Sequence, residues 1–263
     1  MKYFNPFLKS ELNITEADYT VVESSWEKRV TYFPYYRIYF IKDGSATIYL
    51  NNIPYDLTPN NLYFIPAFSV NKSVCKNSMG HYWFHFSLDV TTASYLSVYK
   101  PKIMINQTEN DEWIFRQIVK LFKENLQKKT YSNEVEMNTL AHYLFSRFLT
   151  DTTLSPQKET FVSVLNYIDK HLYDKITNEE LSTLVCYNET YFSNAFTKQF
   201  GISPKQYILQ KKMSEAAKML LESNKTVKEI AFMLGYDNET YFSRLYHKYT
   251  GLAPGKYREQ FYK

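Results

Sequence analysis

The apolar positions change period along the 263 residues. From Tyr36 to Leu88 they come in short runs of β-branched and aromatic residues, divided by Asp43-Gly44, Asn51-Asn52 and Pro59-Asn60-Asn61. Short runs between turn residues predict strands, here at 46–50, 55–57, 62–65 and 81–88, and Asp43-Gly44 is a hairpin signal. From Glu109 the period lengthens to that of a helix. Ile114, Ile118, Leu121, Phe122 and Leu126 form one stripe; Met137, Leu140, Ala141, Leu144, Phe145 and Phe148 form another, in a helix beginning near Ser132. The polar stretch 151–158, with Pro156, reads as a linker. A helix over 161–172 follows, with Phe161, Leu165, Ile168 and Leu172 inward.

Beyond it the chain repeats itself. Asn188-Glu189-Thr190-Tyr191-Phe192-Ser193 returns letter for letter as Asn238-Glu239-Thr240-Tyr241-Phe242-Ser243, an offset of 50 that also pairs Phe196 with Tyr246, Gly201 with Gly251 and Pro204 with Pro254. Each copy begins with a capping-box pattern, Thr177 with Glu180 and Thr226 with Glu229. A short helix follows, with Leu181 and Leu184 in one copy and Ile230 and Met233 in the other as its core residues. After a turn, Asn188 or Asn238 caps a second helix. Its apolar face is Phe192, Phe196 and Phe200, or Phe242, Tyr246 and Tyr249, and Gly201 or Gly251 ends it. The boxes are 49 apart and the second helices 50, so the second turn holds one extra residue. Both copies, 177–200 and 226–249, read as helix-turn-helix motifs. Between them, Ser203 as cap and Pro204 at the first position open a long helix to about residue 221.

In a helix-turn-helix the free face of the second helix enters the DNA major groove. That face would carry Glu189, Thr190, Ser193, Asn194 and Thr197 in one copy, and Glu239, Thr240, Ser243, Arg244 and His247 in the other. Arginine pairs bidentately with guanine and asparagine with adenine, so Glu189, Thr190, Ser193, Asn194, Glu239, Thr240, Ser243 and Arg244 are the candidate base readers. Lys198, Lys205, Lys211, Lys212, His247, Lys248, Lys256 and Arg258 are candidate phosphate contacts, with the alternative for Arg258 that it holds the C-terminal helix in place. The bland alternative, two solvated helix faces, does not account for a matched pair.

Residues 160–263 resemble the DNA-binding domain of the AraC/XylS family of transcription regulators. The resemblance rests on Ile230-Ala231, Gly235-Tyr236, Tyr241-Phe242-Ser243-Arg244, Tyr249-Thr250-Gly251, Pro254 and Tyr257-Arg258, echoed by Phe192-Ser193, Phe196, Lys198, Gly201-Ile202-Ser203-Pro204 and Tyr207. Lys212 stands where the family usually has arginine, and Tyr246-His247 where it has Phe-Lys. The strand order ahead of it, with Gly44, Ile65-Pro66 and the aromatic run 82–86, is similar to the family's cupin-like N-terminal domain. The expected fold is α+β and multidomain: a cupin-like β-barrel sensor at 1–105, a helical pair at 106–150, a linker at 151–159 and an all-α domain with two helix-turn-helix motifs at 160–263. The resemblance implies promoter DNA and RNA polymerase as partners, a small effector, often a sugar, and activation as the commoner outcome, with repression left open. It also implies a homodimer paired through one of the two helices, the alternative being that both helices simply cover the barrel.

Alternation puts His81, Trp83 and His85 on one strand face and Tyr82, Phe84 and Phe86 on the other, while Arg37, Tyr39 and Ile41 share a face. Which face points inward stays open. The candidate effector residues are Arg37, Tyr39, His81, Trp83 and His85; the alternative is a packed aromatic core. Charge adds little, since 160–263 holds 14 basic and 11 acidic residues and so is only weakly basic; the DNA reading rests on the repeat. Cys75 and Cys186 make no disulfide framework or metal spacing and read as buried free thiols. His81 and His85 are too few for a metal cupin site. No P-loop, nucleophile elbow or dinucleotide fingerprint is present, so neither an enzyme nor a cofactor is expected. A cupin-type enzyme or sugar-binding protein with an accessory helical domain is the rival reading. No signal peptide or apolar run of membrane length is seen, which points to the cytoplasm.

Overall fold

The computed structural model describes residues 12–26, 28–29, 33–149 and 156–261. It divides into two compact units, with boundaries at 89/90, 99/100 and 151/152. Residues 151–155 of the expected linker lie outside the described residues, and from Pro156 the chain is already helical.

The first unit holds β1 (Leu12–Glu23), β2 (Lys28–Arg29), β3 (Tyr36–Gly44), β4 (Ala46–Leu50), β5 (Ile53–Leu57), β6 (Asn61–Ile65), β7 (Val70–Val74), β8 (Ser78–Leu88) and β9 (Met104–Asn106). They form a five-stranded sheet, β1-β8-β3-β6-β9, and a four-stranded sheet, β2-β7-β4-β5. The expected barrel is thus realised as two antiparallel sheets around one core, to which Tyr39, Ile41, Tyr63, Ile65 and Met79 come from the first and Ala46, Ile48, Leu50, Leu57 and Val70 from the second. Asn51 and Asn52, at φ 49° and 69°, close the β4–β5 hairpin as a two-residue turn.

Asp43-Gly44 does not close a hairpin, contrary to the sequence reading. β3 and β4 belong to different sheets, and the chain crosses between them at Gly44. Its φ is 69°, and a Cβ there would lie 2.0 Å from the Ser78 carbonyl oxygen, so the corner requires glycine.

α1 (Val90–Tyr99), between β8 and β9 in the chain, belongs to the second unit, so the expected sensor boundary at 105 is interrupted by it. Within the first unit, α2 (Asp111–Gln127) and α3 (Tyr131–Ser146) cover the outer face of the five-stranded sheet. Phe115 packs on Phe40 and Phe84 at 5.7 and 5.6 Å, and Phe145 on Phe64 and Phe86 at 5.9 and 5.8 Å. This resolves the alternation: Phe40, Phe84 and Phe86 face the helices, and the Arg37 and His81 sets face the space between the sheets. A buried carboxylate, Asp111, pins the base of the helical pair by pairing with Arg147 and accepting from Thr108 N at 2.7 Å.

The second unit contains α1 with α4 (Pro156–Lys170), α5 (Asn178–Thr183), α6 (Glu189–Phe200), α7 (Pro204–Glu222), α8 (Val227–Met233), α9 (Glu239–Thr250) and α10 (Pro254–Phe261). Val98 of α1 joins the core made by Phe161, Leu165, Ile168, Phe192, Phe196 and Tyr207. Cys75 is buried as expected, but Cys186 is exposed because it lies in a surface turn between α5 and α6.

Candidate nucleic-acid interface and interior sensor face

Both helix-turn-helix motifs are built by local hydrogen bonds that the sequence specifies. Thr177 Oγ1 accepts from Glu180 N at 3.2 Å while Glu180 accepts from Thr177 N at 2.8 Å. Thr226 and Glu229 repeat this at 3.2 and 2.7 Å. The two bonds satisfy donors that a helix start otherwise leaves open. The backbone and hydroxyl of Thr226 also hold the Glu229 carboxyl below the usual carboxylate range. Asn188 and Asn238 cap α6 and α9 by accepting from Tyr191 N and Tyr241 N at 2.8 and 2.9 Å. Gly201 and Gly251 end them in the left-handed region, at φ 78° and 79°.

The turns superpose in sequence as well. Tyr187 N donates to Ser182 O and Tyr236 N to Ala231 O, each at 3.0 Å. One position earlier, Cys186 and Gly235 are both left-handed, at φ 55° and 77°. The extra residue of the second turn is therefore Asp237, inserted just before the cap Asn238. One expectation fails in both copies at once. Leu184 and Met233, assigned to the core, are 45% and 42% exposed, because each short helix turns them away from Leu181 or Ile230. The buried contact in the second copy comes from Ala231 and Leu234 instead.

With Phe192 and Phe196, or Phe242 and Tyr246, fully buried, the opposite faces of α6 and α9 are open. Glu189, Thr190, Asn194 and Lys198 are exposed on α6, and Glu239, Thr240, Arg244, His247 and Lys248 on α9; Ser193 and Ser243 are half-buried at the edges. Arg244 has no ion-pair partner among the described residues, so its guanidinium is available for a base or phosphate. Two further side chains share this surface: Tyr191 and Tyr241 are 55% and 56% exposed at matched positions. Sequence reasoning quoted them only within the repeated hexapeptide, although an aromatic kept in both copies beside the apolar face was visible there.

The phosphate candidates divide. Lys205 and Lys256 are exposed, Lys256 beside Glu259 at 2.9 Å. Lys211, Lys212 and Arg258 are committed inside the unit, which corrects their assignment. Lys211 pairs with the nearly buried Asp169 at 2.8 Å. Lys212 Nζ donates to Leu234 O at 2.7 Å and Asp174 O at 3.1 Å, and burial holds its pKa below the usual lysine range. Arg258 donates to Leu220 O at 3.0 Å and also reaches the carbonyls of Ser223 and Lys225, satisfying the end of α7.

In the first unit, the five candidate effector residues share one sheet face. Cross-strand pairing sets Arg37 beside His85, Tyr39 beside Trp83 and Ile41 beside His81. The Tyr39 and His81 rings are 4.9 Å apart, and those of Trp83 and His85 4.4 Å. β1, which the sequence reading missed, adds Glu16, in contact with His85 Nδ1 at 3.1 Å, and Thr20, accepting from Trp83 Nε1 at 2.9 Å. Burial pushes the His81 pKa down to about 4, so its imidazole is neutral near pH 7. Among the described residues no group of three His, Cys, Asp or Glu side chains could hold a metal, and no helix is long and apolar enough to cross a membrane.

Two capped helix-turn-helix motifs with open second helices make up one helical domain. Comparison agrees: residues 181–260 match a family described as "Helix-turn-helix domain". The Bacillus subtilis regulator YobQ is 36% identical over 80 residues, 30% of this chain and 33% of that protein. The HTH-type transcriptional activator Btr of Bacillus subtilis is 28% identical over 185 residues, 69% of this chain and 35% of that protein. The chain thus spans about a third of the length of these curated relatives. RafR, the raffinose operon regulatory protein of Pediococcus pentosaceus, is 24% identical and aligns over 76% of each chain. Among solved structures, ToxT from Vibrio cholerae O395 shares the fold across 97% of this chain and 98% of its own, with a TM-score of 0.60 at 16% identity. Residues 181–260 thus form a helix-turn-helix domain, and these curated relatives are named as transcription regulators.

Proposed function

We propose that the chain is a one-component transcription regulator that reads promoter DNA with α6 and α9 and senses a small molecule between the sheets of its first unit. The observation that carries this is the matched pair of open helices, with Thr190 and Asn194 on one and Thr240 and Arg244 on the other. Glu189 and Glu239 suit the cytosine amino group, which donates in the major groove. Lys198, Lys205, His247, Lys248 and Lys256 position the domain on phosphate. Arg244→Ala is expected to cost about 1–3 kcal/mol of DNA binding and to relax preference at one base pair. Equal weakening on every sequence, measured by fluorescence anisotropy on a set of single-base variants, would contradict a base-reading role.

The relatives support a sensing role without agreeing on its ligand. RafR is named for a raffinose operon, in line with the sugar that the family resemblance implied, whereas one ToxT structure is described as bound to an unsaturated fatty acid. The name of Btr favours activation, and hence RNA polymerase as a partner; in vitro transcription that fell on adding the protein would reverse that direction. The homodimer is supported by α3, where Tyr131, Val135 and Tyr143 form an exposed stripe at spacings of four and eight. Val135→Lys should convert a dimer to a monomer in sedimentation; an unchanged mass would remove α3 from the interface. A regulator of this kind works in the cytoplasm, where its DNA is.

A further inference from the structure

The polar side chains lining the space between the sheets are nearly all paired with one another. Thr20 accepts from Trp83 at 2.9 Å, Glu16 meets His85 at 3.1 Å, and the Tyr63 hydroxyl donates to Asp56 O at 2.8 Å while accepting from Thr58 N at 2.9 Å. Two groups are left over. Arg37 Nε is buried without a hydrogen-bond partner, and its guanidinium stacks over Phe33 at 4.6 Å with no carboxylate in ion-pairing distance among the described residues. His81, 3% exposed, has an unpartnered Nδ1. Arg37 is half-buried, so its charge is partly withdrawn from water with no counter-ion among the described residues, an arrangement that a bound anion would complete. The surrounding wall is apolar: Ile41 and Ile48 are buried, while Trp26, Tyr55 and Trp83 are only partly covered although they pack on the inner core.

A neutral sugar needs many free donors and acceptors, and here they are already engaged. A phosphate, carrying up to two charges, calls for more than one cation, and Arg37 is the one lysine or arginine among the described residues of β3, β6 and β8 that points inward. We infer that the effector of this unit is a small monocarboxylic acid with an apolar body, its carboxylate paired with Arg37 and its body lying against Tyr39 and Trp83. Planar guanidinium and carboxylate match in two parallel hydrogen bonds. This rests on the sensing role proposed above and specifies its ligand class.

The test uses the full chain. Its three tryptophans, Trp26, Trp83 and Trp113, all lie in the first unit, so their fluorescence reports on that unit alone. Octanoate and cinnamate are titrated against their primary amides and raffinose, with wild type, Arg37→Lys and Arg37→Met. Acids are expected to bind at least tenfold tighter than amides, Arg37→Met to lose that preference and Arg37→Lys to keep part of it. Without ligand, Arg37→Met should melt no lower than wild type, since it removes an uncompensated charge. Amides binding as well as acids, absence of binding by both acids, or an Arg37→Met protein that melts several degrees lower would each overturn the assignment. Raffinose binding unaffected by Arg37→Met overturns the carboxylate and leaves the sensor standing. Acids that bind through Arg37 without changing DNA affinity leave the site standing and remove the sensor.

Discussion

Cys186 and Gly235 fill the same place in two turns that share one hydrogen bond pattern, and both are left-handed. A side chain pays about 1–2 kcal/mol there, whereas glycine does not. Cys186→Gly is therefore expected to stabilise the second unit by about 1 kcal/mol. Gly235→Ala should destabilise it by at least as much, since a new Cβ would also press on Tyr173 O at 3.3 Å and Lys212 Nζ at 3.4 Å. Urea unfolding followed by circular dichroism reads both; a loss from Cys186→Gly would contradict the equivalence of the turns. His81 gives a prediction in pH. Its folded pKa of about 4 lies below its ordinary 6.5, so the unfolded chain takes up the proton first as pH falls. The first unit should lose stability from about pH 6.5 down to about pH 4, by about 2 kcal/mol between pH 7 and pH 5. His81→Gln should flatten that slope in tryptophan-monitored unfolding, and an unchanged slope would show that another group is responsible. At this scale the sequence was legible where a residue acts locally, as at Asn188 or Gly251. It misled at Lys212, whose carbonyl partners are 22 and 38 residues away, and at Arg258 it left open the helix-holding role that the structure shows.

At the scale of elements, α7 runs for 19 residues, about 28 Å at 1.5 Å per residue, and spaces the two motifs. Lys212 fastens it to the second turn and to the loop before α5, and Tyr173 Oη donates to Glu215 at 2.9 Å from the same loop. Lys212→Met leaves two carbonyls without their donor and is expected to cost about 1–3 kcal/mol of stability. DNA affinity should then fall alike on all sequences, with the salt dependence unchanged. Lys198→Ala should instead leave stability intact and lower the salt slope by about 1. A reversed pattern would restore Lys212 as a phosphate contact. The helices and caps of the second unit were readable because capping boxes, end glycines and apolar stripes are local signals. β1 was not, since a bulge between Ile14 and Glu16 breaks its alternation, and α1 was not, since Val90-Thr91-Thr92 and Val98 favour strand over helix. Asp43-Gly44 carried a true turn signal, but a turn does not state which sheet the next strand will join.

For the whole molecule, the duplication has a mechanical consequence. On the proposed function, a single chain carries two recognition helices and would read two groove segments without relying on a symmetric partner. The two face sets of the first unit's sheet were nameable from strand alternation, while which of them points inward was settled only by the helices that cover the other face. Selection of bound duplexes from a random pool by the purified full-length protein at moderate salt tests the central claim most directly. The account predicts two short preferred blocks about one helical turn apart, 10 to 10.5 base pairs. Arg244→Ala should blur one block and Asn194→Ala the other. A single block erased by either substitution, or no enrichment by the full chain with and without a bound carboxylate, would contradict it.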